Sequence, residues 1–101
     1  MNLLCLYVSE KQHHAGMPLY EWLLEHARSQ CISGGSAFRA IAGYGRHGKM
    51  HEETFFELAG EQAVKVEFVI DDDHVEKLLD SLHAEDLRIM YTRQRLQVAQ
   101  I

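Results

Sequence analysis

The run LLCLYV, Leu3 to Val8, is apolar at every position. Successive side chains of a strand point to opposite faces, so Leu3, Cys5 and Tyr7 share one face and Leu4, Leu6 and Val8 the other. Both faces need cover, because burying one large aliphatic side chain contributes about 1.5–3 kcal/mol. The chain has 101 residues, one domain's worth. A domain of this size buries only about two thirds of the surface its unfolded chain exposes. Cover for both faces must come from the few remaining elements or from another molecule.

The segment Ser9 to Gly16 is polar, contains His13-His14, and reads as a loop. Pro18 suits the first turn of a helix, where its missing N–H costs nothing. Leu19, Leu23 and Ala27, with Tyr20, Leu24 and Cys31 on an adjoining line, predict a helix of about four turns. Gly34-Gly35 is expected to end it. Ser36 to Tyr44 is a weak strand, favoured by Phe38 and Ile41 and opposed by its alanines and Gly43. A long loop follows, from Gly45 to about Gln62, in which Glu52 to Ala59 supports no more than a helical turn or two.

Ala63 to Asp71 is the clearest strand, with Val64, Val66, Phe68 and Ile70 on its core face. Asp71-Asp72-Asp73 opens a second helix; Asp73 and Glu76 have capping-box spacing, and Val75, Leu78, Leu79 and Leu82 form its stripe. Leu87 to Tyr91 is the predicted last strand. Leu96, Val98 and Ala99 do not continue its phase, so a bend, a bulge or a new short strand is expected between Thr92 and Arg95. The order is β-α-β-loop-β-α-β: an α+β, ferredoxin-like βαββαβ domain over residues 1–101, with an antiparallel sheet, two helices on one face and a long loop between strands 2 and 3. Two helices cover one face only. The other apolar side of the first strand is expected to meet a second copy of the chain.

The net charge is -5, which excludes bulk attraction to nucleic acid or an anionic membrane and makes any anion site local. Cys5 and Cys31 form no C-x-x-C pair and read as reduced core residues of a cytoplasmic protein. The N-terminus lacks a basic region, and its apolar run is too short for a signal peptide or a membrane span.

The stretch IAGYGRHGKMH, Ile41 to His51, combines three glycines with four potential cations. Gly43, Gly45 and Gly48 match G-x-G-x-x-G, and Asp71 follows at dinucleotide-fingerprint distance. The fingerprint, however, requires a helix at the third glycine and more βαβ units than this chain holds. A phosphate loop outside that fold is a second reading: glycines admit backbone N–H groups to an anion, and Arg46 and Lys49 add charge. A divalent-metal site is a third, since His47 and His51 have H-x-x-x-H spacing with Glu52 adjacent. The plain alternative is a soluble loop whose glycines shape a turn. No Ser/His/Asp or Cys/His set has catalytic spacing, so no enzymatic activity is expected. His26, His74 and His83 are expected in exposed or capping roles, His13-His14 in its loop makes only a weak metal signal, and the scattered carboxylates read as solvated faces.

LLCLYVSE, GMPLYEWLLEHA and FRAIAGYGRHGKMH resemble the family catalogued as the domain of unknown function numbered one-ninety, a relative of the PII signalling proteins. The resemblance spans nearly the whole chain. It implies a PII-like homotrimer with a mobile loop (the T-loop of PII) after the second strand. The PII loop base reads G-F-G-R-Q and helps hold adenine nucleotides in clefts between subunits; Gly43, Tyr44, Gly45 and Arg46 match it, while His47 replaces the glutamine that helps hold Mg²⁺. The glycine-rich phosphate loop that PII carries before its last main strand is absent. Arg88, Arg93 and Arg95 are candidate substitutes, though exposed strand arginines are more often simply solvated. The implied function is regulation of a target protein, such as a transporter or an enzyme, by a small effector, an adenine nucleotide or another anion. Gly43, Gly45, Arg46, Gly48 and Lys49 would bind it. CutA-like relatives of the same fold imply the alternative of a divalent-metal trimer using His47 and His51. A ligand-free scaffold reaching a partner through Phe55 and Phe56 is the other.

Overall fold

The computed structural model describes residues 1–44 and 63–101. The two most apolar runs pair. β1 (Asn2–Ser9) lies antiparallel to β5 (Ala63–Ile70), with Leu4 opposite Phe68, Leu6 opposite Val66 and Val8 opposite Val64, all buried. β6 (Met90–Arg95) joins the other edge of β1, and β4 (Ser36–Arg39) the outer edge of β5. The resulting antiparallel order is β4-β5-β1-β6. α1 (Leu19–Ser29) connects β1 to β4 with β5 between them; α2 (Asp72–Ala84) connects β5 to β6 with β1 between them. These two split crossovers make the sheet ferredoxin-like, as expected.

Both helices lie over one sheet face. α1 buries Leu19, Leu23 and Ala27, and α2 buries Val75, Leu78 and Leu82. They close a core with Leu4, Leu6, Val8, Val64, Val66, Phe68 and Ile70. The periodicity of the sequence named these residues because a helix stripe and an alternating strand are each local signals.

The boundaries differ from expectation where the backbone closes on itself. α1 stops before Gly34-Gly35. Cys31 takes a left-handed conformation (φ 66) just beyond the helix. Its N–H donates to Arg28 O at 3.1 Å, and Ile32 N–H donates to Ala27 O at 3.2 Å. This pair of bonds is a Schellman ending, which tucks Ile32 into the core and leaves Cys31 exposed, not buried as the composition suggested. α2 ends alike: Asp86 has φ 58, and Asp86 and Leu87 donate to His83 O and Leu82 O. Because Leu87 is committed to that ending, β6 starts at Met90 and not at Leu87. It then runs unbroken through Arg95 without the expected bend, while Leu87 and Ile89 pack against the core before it.

Gly35 has a different role from helix termination. A Cβ there would stand 2.4 Å from Phe68 Cε1, so the chain can cross the Phe68 ring only without a side chain. The cap of α2 is Asp71, whose carboxylate accepts from His74 N–H at 2.9 Å, in place of the expected Asp73–Glu76 box. The expected loop at residues 9–16 contains part of a small ribbon, β2 (His13–His14) against β3 (Met17–Pro18). Ala15 and Gly16 turn it with positive φ at both positions, as a tight hairpin of this hand requires.

Candidate functional site at the loop base and the open sheet face

The long loop leaves the sheet where β4 ends. Ala40 N–H donates to Ala63 O at 2.8 Å, one step beyond the Arg39–Val64 pair. From there residues 40–44 are exposed, with Ile41 and Tyr44 essentially bare. Gly43 is the one predicted effector residue among those described. A methyl group on it would meet open space, and its φ is not left-handed, so the single subunit makes no demand for glycine there. Gly45, Arg46, His47, Gly48, Lys49 and His51 lie outside the described residues, as does the predicted helical turn at 52–59.

The cation that the fold does place at the loop base is Arg39, the first residue of the R-x-I-x-G-Y-G stretch. Its Nε donates to Glu10 Oε1 at 2.9 Å, and Nη2 reaches the same oxygen. This hydrogen bonding to Glu10 raises the arginine's pKa further. Sequence reading had no means of finding this pair, since its partners are joined by the turn of the fold and by no periodicity.

The sheet face opposite the helices carries Leu3, Cys5 and Tyr7 from β1 and Lys65, Glu67 and Val69 from β5, paired across the strands. β4 adds Ser36 and Phe38, and β6 adds Met90, Thr92 and Gln94. Phe38 is 50% and Val69 43% exposed. Polar contacts cross the face: Lys65 Nζ lies 3.3 Å from Glu67 Oε2 and 5.4 Å from the centroid of the Phe38 ring, and Tyr7 Oη lies 3.5 Å from Thr92 Oγ1. Glu67 raises the Lys65 pKa through its hydrogen bond and charge. Two recesses of about 270 and 290 Å³ flank Gly34-Gly35, one walled by Leu24, Ile32 and Phe68, the other by Glu67 and Val69 beside this open face. No helix or strand of the described chain lies over the face. The apolar second side of β1 read from the sequence is therefore real, and it is tempered by one ion pair.

The C-terminal arginines are engaged elsewhere. Arg93 donates to Glu76 Oε2 at 2.6 Å and to Asp72 Oδ1 at 3.0 Å, and Arg95 donates to Asp72 at 3.1 Å. The buried Asn2 side chain donates to Asp72 at 2.8 Å and to Ile70 O at 3.2 Å. Asn2, Arg95 and Arg93 together hold the Asp72 carboxyl down at about 2. Arg93 and Arg95 thus brace β6 to the start of α2. Among the described residues, no three His, Cys, Asp or Glu side chains gather as a metal site.

Residues 1–98 match the model of a protein family described as DUF190, "Uncharacterized ACR". A curated relative from Aquifex aeolicus (strain VF5), called "UPF0166 protein", is 30% identical over 98 residues, covering 89% of this chain and 93% of the relative. A solved structure from Thermus thermophilus, titled as a candidate PII-like signaling protein, superposes with a TM-score of 0.59 at 16% identity. That match covers 92% of this chain and 83% of the other, and it supports the fold. No helix among the described residues is long and apolar enough to cross a membrane.

Proposed function

The chain belongs to the DUF190 family, and on that footing we propose that it is a PII-like regulatory protein. It acts by binding and not by catalysis. Copies pack through the open sheet face into a cytoplasmic homotrimer, and a small anionic effector, of which an adenine nucleotide is the first candidate, binds in clefts between subunits at the loop base. The occupied loop then acts on a target protein.

One observation carries this reading: the glycine-rich, cation-bearing stretch follows the end of a strand in a ferredoxin-like sheet whose second face is partly apolar and uncovered by any helix among the described residues. Copies packed by that face would carry each loop base to a subunit boundary. Arg46 and Lys49 supply charge for the anion there, and Gly43, Gly45 and Gly48 allow backbone approach.

The test is a thermal-shift panel with ATP, ADP, AMP, cyclic nucleotides and divalent metals. A ligand present at a hundred times its Kd stabilises by about 2.7 kcal/mol, which moves Tm by several degrees. A nucleotide shift that disappears in Arg46→Ala supports the reading. A shift with metal alone that disappears in His47→Ala or His51→Ala replaces it with a metal-binding trimer. Silence across the panel leaves a scaffold for protein partners.

A further inference from the structure

β1 and β4 flank β5, and both run toward the end of the sheet where the long loop leaves and returns. Arg39 is the last residue of β4, and Glu10 follows directly on the last residue of β1. Their ion pair therefore reaches across the start of β5, at Ala63 and Val64, where the chain comes back from the loop. Neighbouring strands lie about 4.8 Å apart, so the two side chains bridge about 10 Å of sheet.

The pair is ill suited to bracing. Both engaged donors of Arg39, on Nε and Nη2, converge on the single oxygen Oε1 of Glu10. A fork-on-fork pair would give each carboxylate oxygen its own N–H. Arg39 Nη1 and Glu10 Oε2 have no partner among the described residues. The arginine side chain is 54% exposed, and exposed ion pairs contribute little to stability.

The turn that carries Glu10 is also held without the pair. Ser9 N–H donates to Gln12 Oε1 at 2.7 Å, and Lys11 N–H donates to Ser9 Oγ at 3.1 Å. Leu19 N–H donates to Gln12 O at 2.8 Å. Beyond the turn, the His14 ring meets Trp22 edge-on at 4.5 Å, with His26 stacked on the same indole, and His14 Nε2 lies 3.0 Å from Glu85 Oε1. Glu10 can release Arg39 without loosening the ribbon.

A guanidinium at a loop mouth, with donors to spare and a replaceable partner, is matched by an anion with more charge and more oxygens than a carboxylate. A phosphate meets both conditions. We propose, resting on the effector reading above, that Arg39 is a phosphate contact of the effector site, held in reserve by Glu10 and handed from that carboxylate to the effector's phosphate on binding. The effector class is thereby narrowed from any anion to a phosphorylated one.

The experiment is calorimetric titration of the intact protein with ATP, comparing wild type, Arg39→Gln and Glu10→Gln, with Arg46→Ala as the control for the effector reading. Arg39→Gln should weaken ATP binding about tenfold or more, the loss of a charge-assisted contact. Glu10→Gln should tighten it about threefold, because no carboxylate then competes for the guanidinium. A structural brace would give the two variants effects of the same sign. In the wild type, the side-chain ¹⁵Nε resonance of Arg39, assigned by its absence in Arg39→Gln, should shift as ATP is added. Binding that falls in Arg46→Ala while Arg39→Gln and Glu10→Gln match the wild type overturns the contact and leaves the effector reading standing. Effects of equal sign, or an Arg39 resonance unmoved by bound ATP, also overturn the contact. A wild type that binds no ATP overturns the adenine-nucleotide reading and this contact with it.

Discussion

Phe68 and Phe38 stand on neighbouring strands of one sheet and meet opposite surroundings. Phe68 points under the helices and is 2% exposed; Phe38 points away from them and is 50% exposed. The same contrast runs along β1, where Leu4, Leu6 and Val8 are sealed while Leu3 and Tyr7 remain partly open. One face is completed by the chain itself, with a glycine placed to clear a ring. Among the described residues, the other has apolar side chains, one ion pair and no helix over it. A sheet built this way has a finished side that fixes the fold and an unfinished side available to another surface.

The largest test of the contrast is Phe68→Ala, expected to cost about 3–5 kcal/mol in urea unfolding, as for a large aromatic lost from a packed core. Phe38→Ala should leave the unfolding of an isolated subunit within about 0.5 kcal/mol of wild type, as for a surface change. Equal losses at the two sites would erase the distinction. Gly35→Ala sharpens it, because the added methyl meets the Phe68 ring at 2.4 Å. A cost of about 1–3 kcal/mol is expected from such overpacking, whereas Gly34→Ala, with open space around its Cβ, should avoid that clash.

A smaller effect of opposite sign is expected at Cys31. Its left-handed backbone suits glycine, so Cys31→Gly should stabilise by about 0.5–1 kcal/mol, the relief of strain exceeding the added entropy of the unfolded chain. The last test concerns acid. Asp72 has its folded pKa lowered to about 2 from 3.8 by Asn2, Arg95 and Arg93. A lowered carboxylate contributes stability above its unfolded pKa and loses it as pH falls through the folded one. The wild type should therefore lose this small contribution between roughly pH 4 and pH 2, and Asp72→Asn should flatten that part of the stability profile.

What the sequence disclosed follows the same division. The helix-covered face was legible because Leu19, Leu23 and Ala27, or Val64, Val66 and Phe68, declare their faces by spacing alone. The uncovered face was legible too, from the unbroken apolar run at Leu3 to Val8. What stayed hidden depends on groups distant in sequence: Glu10 beside Arg39, Asn2 beneath Asp72, and His14 and His26 against Trp22. The end of α1 and the start of β6 were misplaced because Cys31 and Asp86 take a conformation usually given to glycine, while the glycines at 34 and 35 do not terminate α1. The predicted anion and metal residues from Gly45 to His51 lie outside the described residues, so the loop's chemistry rests on its composition and on the family.

The most direct measurement of the central claim is the mass of the protein in solution, by light scattering after gel filtration. The reading of the open face predicts three times the chain mass of 11.6 kDa. It also predicts that Val69→Asp, which places a charge opposite Leu3 on that face, yields a folded monomer by circular dichroism. A wild type that remains a monomer at tens of micromolar, or a trimer that Val69→Asp leaves intact, would contradict it.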